Sequence, residues 1–382
     1  METIFTNAQI VTAEADFMGS VVFQDGRIAA VDDQSSTAPG AIDCQGDVVM
    51  PGLIDLHTDN LEKHYMPRPD VTWDSIGAAI AHDAQMAASG ITTVFDSLSV
   101  RGASKTFDRR EHLTPMLDGV IEARQMDLLR ADHKLHLRCE VSIPGLEEEL
   151  APHLDHPLLS LISVMDHTPG QRQYRNMTEE SFAAMLAKYD RTKEDIQKAM
   201  EQFRLRAKGH HIADNRAFVS GAAASRNIPY ASHDDETGEH IIEAVQEGAT
   251  IAEFPVTLEA AALSKEYGMD VIMGAPNLLR GGSHSGNVAV SDVAKARSMN
   301  ILASDYLPLS MIRGAFMLTE APFNWSLSDA INTVTQGPAK AARLTDRGTL
   351  TNGLRADMVR VRRSGNDWPK VSGVWVEGAR VA

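Results

Sequence analysis

The sequence predicts an α/β fold: a TIM-like (β/α)8 barrel with a small β-sandwich domain that both termini form. Three observations support this prediction. Eight strand-like segments alternate with helical patterns through the middle of the chain, the first 48 residues form short apolar runs with turns, and the last forty residues have the same β-rich character. Strands that alternate with helices are typical of a parallel sheet, and eight of them suit a closed barrel.

The two β-rich ends predict one composite domain made of residues 1–48 and 346–382. In the N-terminal part, Asp25-Gly26 stands between apolar runs, which is a hairpin signal because these residues tolerate the left-handed turn conformation. In the C-terminal part, apolar runs surround Gly378. The barrel is therefore expected over residues 49–345.

Eight apolar segments are the candidates for the barrel strands, and helical patterns lie between most of them. The strand candidates are 48–57, 92–100, 133–142, 158–167, 228–234, 250–257, 270–277 and 300–306. The helical spacers include 74–89, 110–129, 237–247, 258–267 and 290–298. Residues 170–226 hold more than one helix, so we expect a helical insertion that is either a lid, a solvated hairpin or an oligomer contact.

Composition limits the functional classes. The formal net charge of −16 argues against binding to nucleic acids or anionic membranes, although a local cluster of Arg and Lys can still hold an anionic small molecule. Two cysteines are too few for a disulfide framework or a Cys-based zinc site, which fits a reducing cytoplasm. No signal peptide and no membrane span are expected from the apolar pattern. A homodimer is compatible with the sequence.

Several strand candidates end in His, Asp or Glu, and this is the main functional observation. In a (β/α)8 barrel the C-terminal strand ends converge on one mouth, where catalytic groups collect. The first strand ends in His57-Thr-Asp59, whose His and Asp are two residues apart and point the same way. The later strand ends contribute Glu140, His167, His233 and Asp305.

Imidazoles and carboxylates are ligands of zinc-like ions, so these six residues predict a divalent metal centre of one or two ions. Glu140 is the candidate bridge between two ions, with Asp166 as the alternative. Asp305 is both a ligand and the catalytic residue that orients the attacking water and takes its proton. Each residue alone has a structural explanation, and for Asp166, Asp234 and Asp235 a helix-capping role is a serious one.

The chain also resembles a known group. Pro51-Gly-Leu-Ile-Asp-Leu-His57 is similar to the amidohydrolase signature, and Gly353-Leu-Arg-Ala-Asp357 resembles the return into that superfamily's β-sandwich domain. Longer motifs resemble the PhnM family, the triphosphate diphosphatase of the carbon–phosphorus lyase pathway. They include His57-Thr-Asp-Asn-Leu-Glu-Lys63, Leu135-His-Leu-Arg-Cys-Glu140, Ala252-Glu-Phe-Pro255 and Ser304-Asp-Tyr306. Asp59 stands where the superfamily usually has a second His. PhnM-like sequences share this Asp.

The resemblance implies a metal-dependent hydrolase that converts α-D-ribose 1-methylphosphonate 5-triphosphate, or a related alkylphosphonate, to the 5-phosphate and pyrophosphate. Zinc is the expected metal, with manganese as the alternative. Phosphoryl transfer needs cations around the transition state, and Arg suits bidentate phosphate contacts. The predicted substrate contacts are Lys63, Arg68, Arg138, Arg172, Arg280 and His284. For Lys63, Arg68 and Arg175, a solvated surface charge explains the residue nearly as well.

Two other functions remain open at this point. The chain could hydrolyse a C–N bond as a deaminase or cyclic amidase, but a neutral amide has no use for the many Arg and Lys near the site. A barrel that has lost catalysis is the second alternative, and the complete set of ligands argues against it. His82 lies in a helical pattern and is expected to be a packed core histidine that bonds to a neighbour.

Overall fold

The computed structural model of the chain describes residues 2–68, 71–100, 103–104, 107–186, 192–283, 286–363 and 368–382. Its N-terminal strands are β1 (Glu2–Val11), β2 (Asp16–Gln24), β3 (Arg27–Asp32), β4 (Ile42–Asp43) and β5 (Val48–Pro51). The middle of the chain contains β6 (Leu53–Thr58), β7 (Ile91–Val100), the short pair β8 (Ala103–Ser104) and β9 (Phe107–Asp108), β10 (Asp132–Glu140), β11 (Leu159–Met165), β12 (Tyr230–His233), β13 (Ile251–Glu253), β14 (Asp270–Gly274) and β15 (Ile301–Ala303). The last strands are β16 (Met358–Arg363), β17 (Pro369–Val376) and β18 (Ala379–Arg380).

Helices follow most of the barrel strands. They are α1 (Asn60–Tyr65), α2 (Ser75–Ala88), α3 (Arg109–Gln125), α4 (Leu146–Leu150), α5 (Glu179–Leu186), α6 (Lys193–Ala207), α7 (Ile212–Ser225), α8 (Gly238–Gln246), α9 (Leu258–Glu266), α10 (Ala275–Arg280), α11 (Val290–Lys295), α12 (Ser310–Leu318), α13 (Leu327–Asn332) and α14 (Gln336–Ala341). Across the described ranges, none of these helices combines the length and the apolar character that crossing a membrane requires.

The barrel prediction is confirmed. Eight parallel strands follow the order β15-β14-β13-β12-β11-β10-β7-β6, and a parallel bridge between Thr58 and Asp305 joins the two ends of this sheet. Apolar side chains such as Ile54, Phe95 and Leu161 form one buried cluster together with residues from the later strands. Burying each such side chain contributes about 1.5–3 kcal/mol, so the barrel is a packed core and its chemistry is confined to its mouth.

The terminal domain is one mixed sheet of strands from both ends of the chain, in the order β18-β17-β16-β5-β1-β2-β3, with β4 beside β1. The Phe5 ring on β1 lies 4.8 Å from the Trp375 ring on β17, although two strands separate β1 and β17 in the sheet. Flat neighbouring strands are about 4.8 Å apart, so this contact requires the sheet to bend over its own core. That bend gives the domain its sandwich-like packing.

The first predicted barrel strand, 48–57, is two strands in the structure. Residues Val48–Pro51 pair with β1 and β16 in the terminal sheet, and the barrel begins at Leu53. Gly52 lies between them, where a Cβ atom would collide with the Thr92 side chain. A run of apolar residues does not show where the pairing changes from the terminal sheet to the barrel sheet. The sequence therefore predicts one continuous strand.

The described residues between the fourth and fifth barrel strands include the helices α5, α6 and α7. Helices α5 and α6 contact each other through stacked rings of Phe182 and Phe203, whose centroids are 4.6 Å apart, and through an ion pair between Glu179 and Arg204. Helix α7 returns to the barrel, where Asn215 donates hydrogen bonds to the Val141 and Ile143 carbonyls. A lid role for α5 and α6 stays a prediction.

Candidate metal centre at the barrel mouth

A cavity of about 620 Å³ opens at the C-terminal ends of the barrel strands. It brings together most of the residues that the sequence predicts for the site. The predicted residues that line it are His57, Asp59, Arg138, His167, His233, Arg280 and Asp305. They lie at the ends of strands one, three, four, five and eight, with Arg280 at the end of α10 after strand seven, which agrees with a site built from separate strand ends.

The backbone at the closure of the barrel fixes His57, Asp59 and Asp305 relative to one another. Asp305 N donates to the His57 carbonyl at 3.0 Å, and Asp59 N donates to the Asp305 carbonyl at 2.8 Å. Asp305 has a φ of 55°, in the left-handed region that non-glycine residues seldom adopt. Strained backbone of this kind is concentrated at functional sites, where the surrounding structure enforces it.

His57 has the environment of a metal ligand. Its ring is 1% exposed, and its Nδ1 lies 3.0 Å from Glu253 Oε1. That hydrogen bond leaves Nε2 facing Asp59 Oδ1 at 3.8 Å. Burial, with the nearby Arg138 charge, holds the pKa of His57 well below its ordinary value, so the ring is neutral and can offer a lone pair.

His167 repeats this arrangement, because its Nδ1 lies 2.5 Å from Glu140 Oε2. His233 Nδ1 lies 3.0 Å from Asp234 Oδ2, but neither of these atoms makes a hydrogen bond. A carboxylate behind one ring nitrogen fixes the orientation and tautomer of an imidazole whose other nitrogen binds metal. His57, His167 and His233 all line one cavity, and the Nε2 of His233 lies 3.4 Å from Arg138 Nη2.

The donor set fits a divalent ion. One group of donors is His57, Asp59 and Asp305, and a second is His57, His233 and Glu253; within each group the donor atoms lie within 4.8 Å of one another. Nitrogen and oxygen donors are those that zinc and manganese accept. Glu253 Oε2 is buried without a hydrogen bond, which is a costly state for a carboxylate unless a cation compensates it.

Arg138 enters the same cluster from strand β10. Its Nη1 is 2.5 Å from Asp59 Oδ1, and its Nη2 is 3.4 Å from His233 Nε2. Burial opposes the charged form of each partner, yet the guanidinium keeps the pKa of Asp59 below its usual range and the carboxylates raise the pKa of Arg138. Both groups are therefore ionised at neutral pH.

The two candidates for the bridging ligand have other partners. Glu140 Oε1 accepts hydrogen bonds from Ser142 Oγ and from the His167 backbone, while Oε2 pairs with the His167 ring. Asp166 accepts from Thr168 N and from Gln171 Nε2. Neither residue belongs to the donor groups that the described part of the chain forms. A bridging role for either stays a prediction, and the geometry gives Glu140 the task of orienting His167.

The predicted substrate contacts divide by position. Arg280, at the end of α10, lines the cavity. Lys63 Nζ donates to the Tyr306 carbonyl at 2.7 Å beside the mouth, and Arg68 is exposed outside the cavity lining. Arg172 is 2% exposed and forms ion pairs with Asp235 and Glu243, so its charge is already compensated within the protein. His284 lies outside the described residues.

Sequence reasoning missed Glu253 and gave Asp234 only a capping role. Both are the carboxylates that face a histidine Nδ1 in the site. The signal for Glu253 was its place in Ala252-Glu-Phe-Pro255 at the end of the sixth strand. Further polar residues that line the cavity without having been predicted are Gln173, Asn277, Ser283, Asn287 and Tyr306.

Comparison with known proteins adds one full-length relative and a group of distant folds. The chain is 41% identical over 383 residues to the alpha-D-ribose 1-methylphosphonate 5-triphosphate diphosphatase of Escherichia coli (strain K12), covering 99% of this chain and 100% of the relative. No family model matches the chain.

The solved structures with this fold are much more distant in sequence. One is N-isopropylammelide isopropylaminohydrolase from Burkholderia multivorans ATCC 17616, with a TM-score of 0.64, 16% identity, and coverage of 100% of this chain and 98% of that chain. Another is N-acetylglucosamine-6-phosphate deacetylase from Pasteurella multocida, with a TM-score of 0.63, 14% identity, and coverage of 100% of each chain. At such low identity these similarities establish the amidohydrolase fold alone.

Proposed function

Because the chain belongs to the family of α-D-ribose 1-methylphosphonate 5-triphosphate diphosphatases, we propose that it hydrolyses this triphosphate to the 5-phosphate and pyrophosphate during phosphonate catabolism. The observation that carries the proposal is the 41% identity to the Escherichia coli enzyme along the whole chain. The cavity supports it, because three histidines, two of them with a carboxylate at Nδ1, meet the carboxylates of Asp59 and Asp305 there.

A divalent ion, which we propose is zinc with manganese as the alternative, supplies Lewis acidity and makes water nucleophilic near neutral pH. His57, His167 and His233 would hold it through ring nitrogens, and Asp59 and Asp305 through carboxylate oxygens. Glu253 and Glu140 keep the His57 and His167 rings in the required tautomer, as their contacts with Nδ1 indicate. Asp59 is a harder ligand than an imidazole, so manganese stays compatible.

Asp305 is proposed as the proton acceptor. It lies at the mouth, where its backbone is hydrogen-bonded to the backbone of His57 and Asp59. The backbone position from which its carboxylate extends is therefore fixed. A water oxygen forms a bond to the phosphorus attached to ribose O5′, while the bond from that phosphorus to the pyrophosphate oxygen breaks. Asp305 takes the proton of the water, and pyrophosphate leaves with the bonding electrons.

The triphosphate brings several negative charges into a protein of net charge −16, so local cations must compensate them. Arg280 and Arg138 line the cavity, and Lys63 lies at its edge. Burial lowers the pKa of Lys63, while Asp59 and Asp305 favour its charged form. We propose these three as substrate contacts, with His284 and Arg68 as further candidates.

A phosphorus NMR time course tests the proposal. The zinc-loaded protein is incubated with the ribose methylphosphonate triphosphate, and the expected products are pyrophosphate and the 5-phosphate sugar. Asp305→Asn should abolish both signals. Orthophosphate in place of pyrophosphate would show that a different phosphorus is attacked. If a metal-loaded chain releases neither product, the substrate proposal fails and C–N substrates such as cyclic amides become the next test.

A cytoplasmic location and a homodimer complete the proposal. The first rests on the low cysteine count, and the second on compatibility alone. Fractionation of cells and analytical ultracentrifugation of the purified chain test these two points.

A further inference from the structure

Arg138 places a permanent positive charge among the donor atoms of the candidate metal centre. A guanidinium stays protonated in proteins, and this one is 11% exposed. Its two terminal nitrogens contact Asp59 at 2.5 Å and His233 at 3.4 Å. Asp59 belongs to one of the two donor groups at the mouth and His233 to the other. One side chain therefore occupies a position between the two groups.

The two donor groups have a single imidazole in common. Both contain His57, whose Nδ1 is bonded to Glu253 at 3.0 Å. Only Nε2 of His57 is left for a metal, and one imidazole nitrogen serves one ion. Two-metal centres hold their ions about 3.5–4 Å apart, each with its own ligands. With His57 on one ion, the other group keeps two donors, and Arg138 contacts one donor of each group.

The carboxylate that would bridge two ions is also engaged elsewhere. Glu140 accepts hydrogen bonds at both oxygens, from the His167 ring, the His167 backbone and Ser142. The described residues thus offer Arg138, and not a bridging Glu140, between the two halves of the site.

We propose that Arg138 takes the place of a second metal ion, so that the chain binds one catalytic divalent ion with the guanidinium beside it. This inference rests on the metal dependence proposed above and goes beyond it by assigning the ion count and a role for Arg138. The guanidinium then supplies the second positive charge that two-metal phosphoryl hydrolases obtain from their second ion. Its planar donors suit phosphoryl oxygens as well as Asp59.

Metal counting tests this assignment without any assay of activity. Metal-free wild-type protein, Arg138→Met and Arg280→Met are saturated with zinc, desalted, and analysed by plasma mass spectrometry. The wild-type chain should retain one zinc ion. Arg138→Met should retain two, because Asp59 and His233 are then released from the guanidinium and the group without His57 can use its remaining donors for a second ion. Arg280→Met is the matched control, since it removes an exposed arginine of the same cavity, and it should retain one.

Two zinc ions in the wild-type chain overturn the proposal. This count is made on the wild-type chain alone, so it stands even if a variant fails to fold. One zinc ion in both the wild type and a folded Arg138→Met chain also overturns it, because Arg138 then does not set the count. A wild-type chain without zinc overturns the metal dependence itself. One zinc ion without pyrophosphate release overturns only the substrate proposed above.

Discussion

Two clusters of His and Asp among the described residues differ in what surrounds them. The mouth cluster consists of His57, Asp59, His167, His233 and Asp305, and it lines the cavity. The wall cluster consists of His82 and Asp83 on α2, Asp96 on β7 and His133 on β10, and all four are buried. Each cluster contains a triad of donor atoms with spacing that a metal ion could use.

Every side-chain polar atom of the wall cluster has a hydrogen-bond partner within the protein. Asp96 pairs with the His82 ring at 2.7 Å and with the His133 ring at 2.8 Å. His133 also reaches Asp83, which accepts from the backbone of Arg130 and Ala131. His82 uses its second nitrogen on Asn60. With Arg130 on Asp83, the two acids face two cations, so the cluster is satisfied without an ion.

The mouth cluster is less completely paired by the same measure. His57 and His167 use Nδ1 on carboxylates, whereas His233 Nδ1 and the neighbouring Glu253 Oε2 have no hydrogen bond. The difference teaches that residue type and spacing do not identify a metal site. A buried ring nitrogen of His233 and a buried oxygen of Glu253, both without hydrogen bonds beside accessible space, distinguish the mouth from the wall cluster.

The largest expected effect contrasts two aspartates of these clusters. Asp305→Asn should lower kcat by about 10²–10⁴-fold, the usual contribution of a general acid–base group. Asp96→Asn should leave kcat within a few fold, because Asp96 faces the barrel wall. Steady-state assays of pyrophosphate release compare the two variants. An equal loss of kcat in both, with both chains folded, would contradict the distinction between the clusters.

The second effect concerns stability, where Asp96→Asn should have the larger effect and Asp305→Asn the smaller one. Asp96→Asn removes the carboxylate that both His82 and His133 contact, and it leaves a buried imidazolium with one partner fewer. Breaking a buried ion pair costs about 3–5 kcal/mol, so the free energy of unfolding should fall by that amount. Urea titration followed by circular dichroism measures it. Asp305→Asn is the control and should change stability little; a larger loss there would refute the assignment.

A smaller effect is expected for the carboxylate behind His57. Glu253→Gln keeps the size of the side chain but removes the charge that orients the ring and raises its basicity. Changes of this kind weaken metal affinity by about 10–100-fold. Competition with a chromophoric zinc chelator measures the affinity. Glu243→Gln, on the partly exposed α8, is the matched control; an unchanged affinity in Glu253→Gln would remove Glu253 from the metal centre.

The smallest effect is a pH slope that belongs to the wall cluster. Burial opposes the charge of His133, but Asp96 and Asp83 raise its pKa from 6.5 to about 10. Its stabilisation is complete below pH 6.5 and is lost as the pH rises through about 10. In this window the unfolded chain has released a proton that the folded chain retains, so stability falls by up to about 1.4 kcal/mol per pH unit. His133→Gln should flatten this slope in urea titrations between pH 7 and 9; parallel slopes would contradict it.

The strand ends that carry the mouth cluster could be predicted because both signals are local. Apolar runs locate strands, and the residue that follows each run lies at the mouth, so His57, His167, His233 and Asp305 were found from position alone. His82 was expected to be a packed histidine, and it is buried with Asp96 as its partner. Helices such as α2 and α8 lie within a residue or two of their predicted bounds.

The pairings could not be predicted, because they join side chains that are far apart in the sequence. In the sequence, Arg138 and Asp59 are predicted to act separately, as a substrate contact and a metal ligand. In the barrel, Arg138 Nη1 lies 2.5 Å from Asp59 Oδ1. Arg172 follows His167 closely and was predicted to bind substrate, yet it is buried against Asp235. Glu253 stands behind His57 across the barrel. A sequence reports which groups reach the mouth, but folding decides which of them neutralise one another.

The β-bridge between Thr58 and Asp305 has a consequence for the synthesis of the chain, because it closes the barrel. The first and last barrel strands meet there, and with them two halves of the reaction centre. Synthesis on the ribosome proceeds from the N-terminus, at about 5–20 residues per second. His57 therefore leaves the ribosome long before Asp305 does. Strand β5 remains without its partner strand β16 for still longer. The nascent chain has no reaction centre until its end is nearly made, so hydrolysis begins only with a finished molecule.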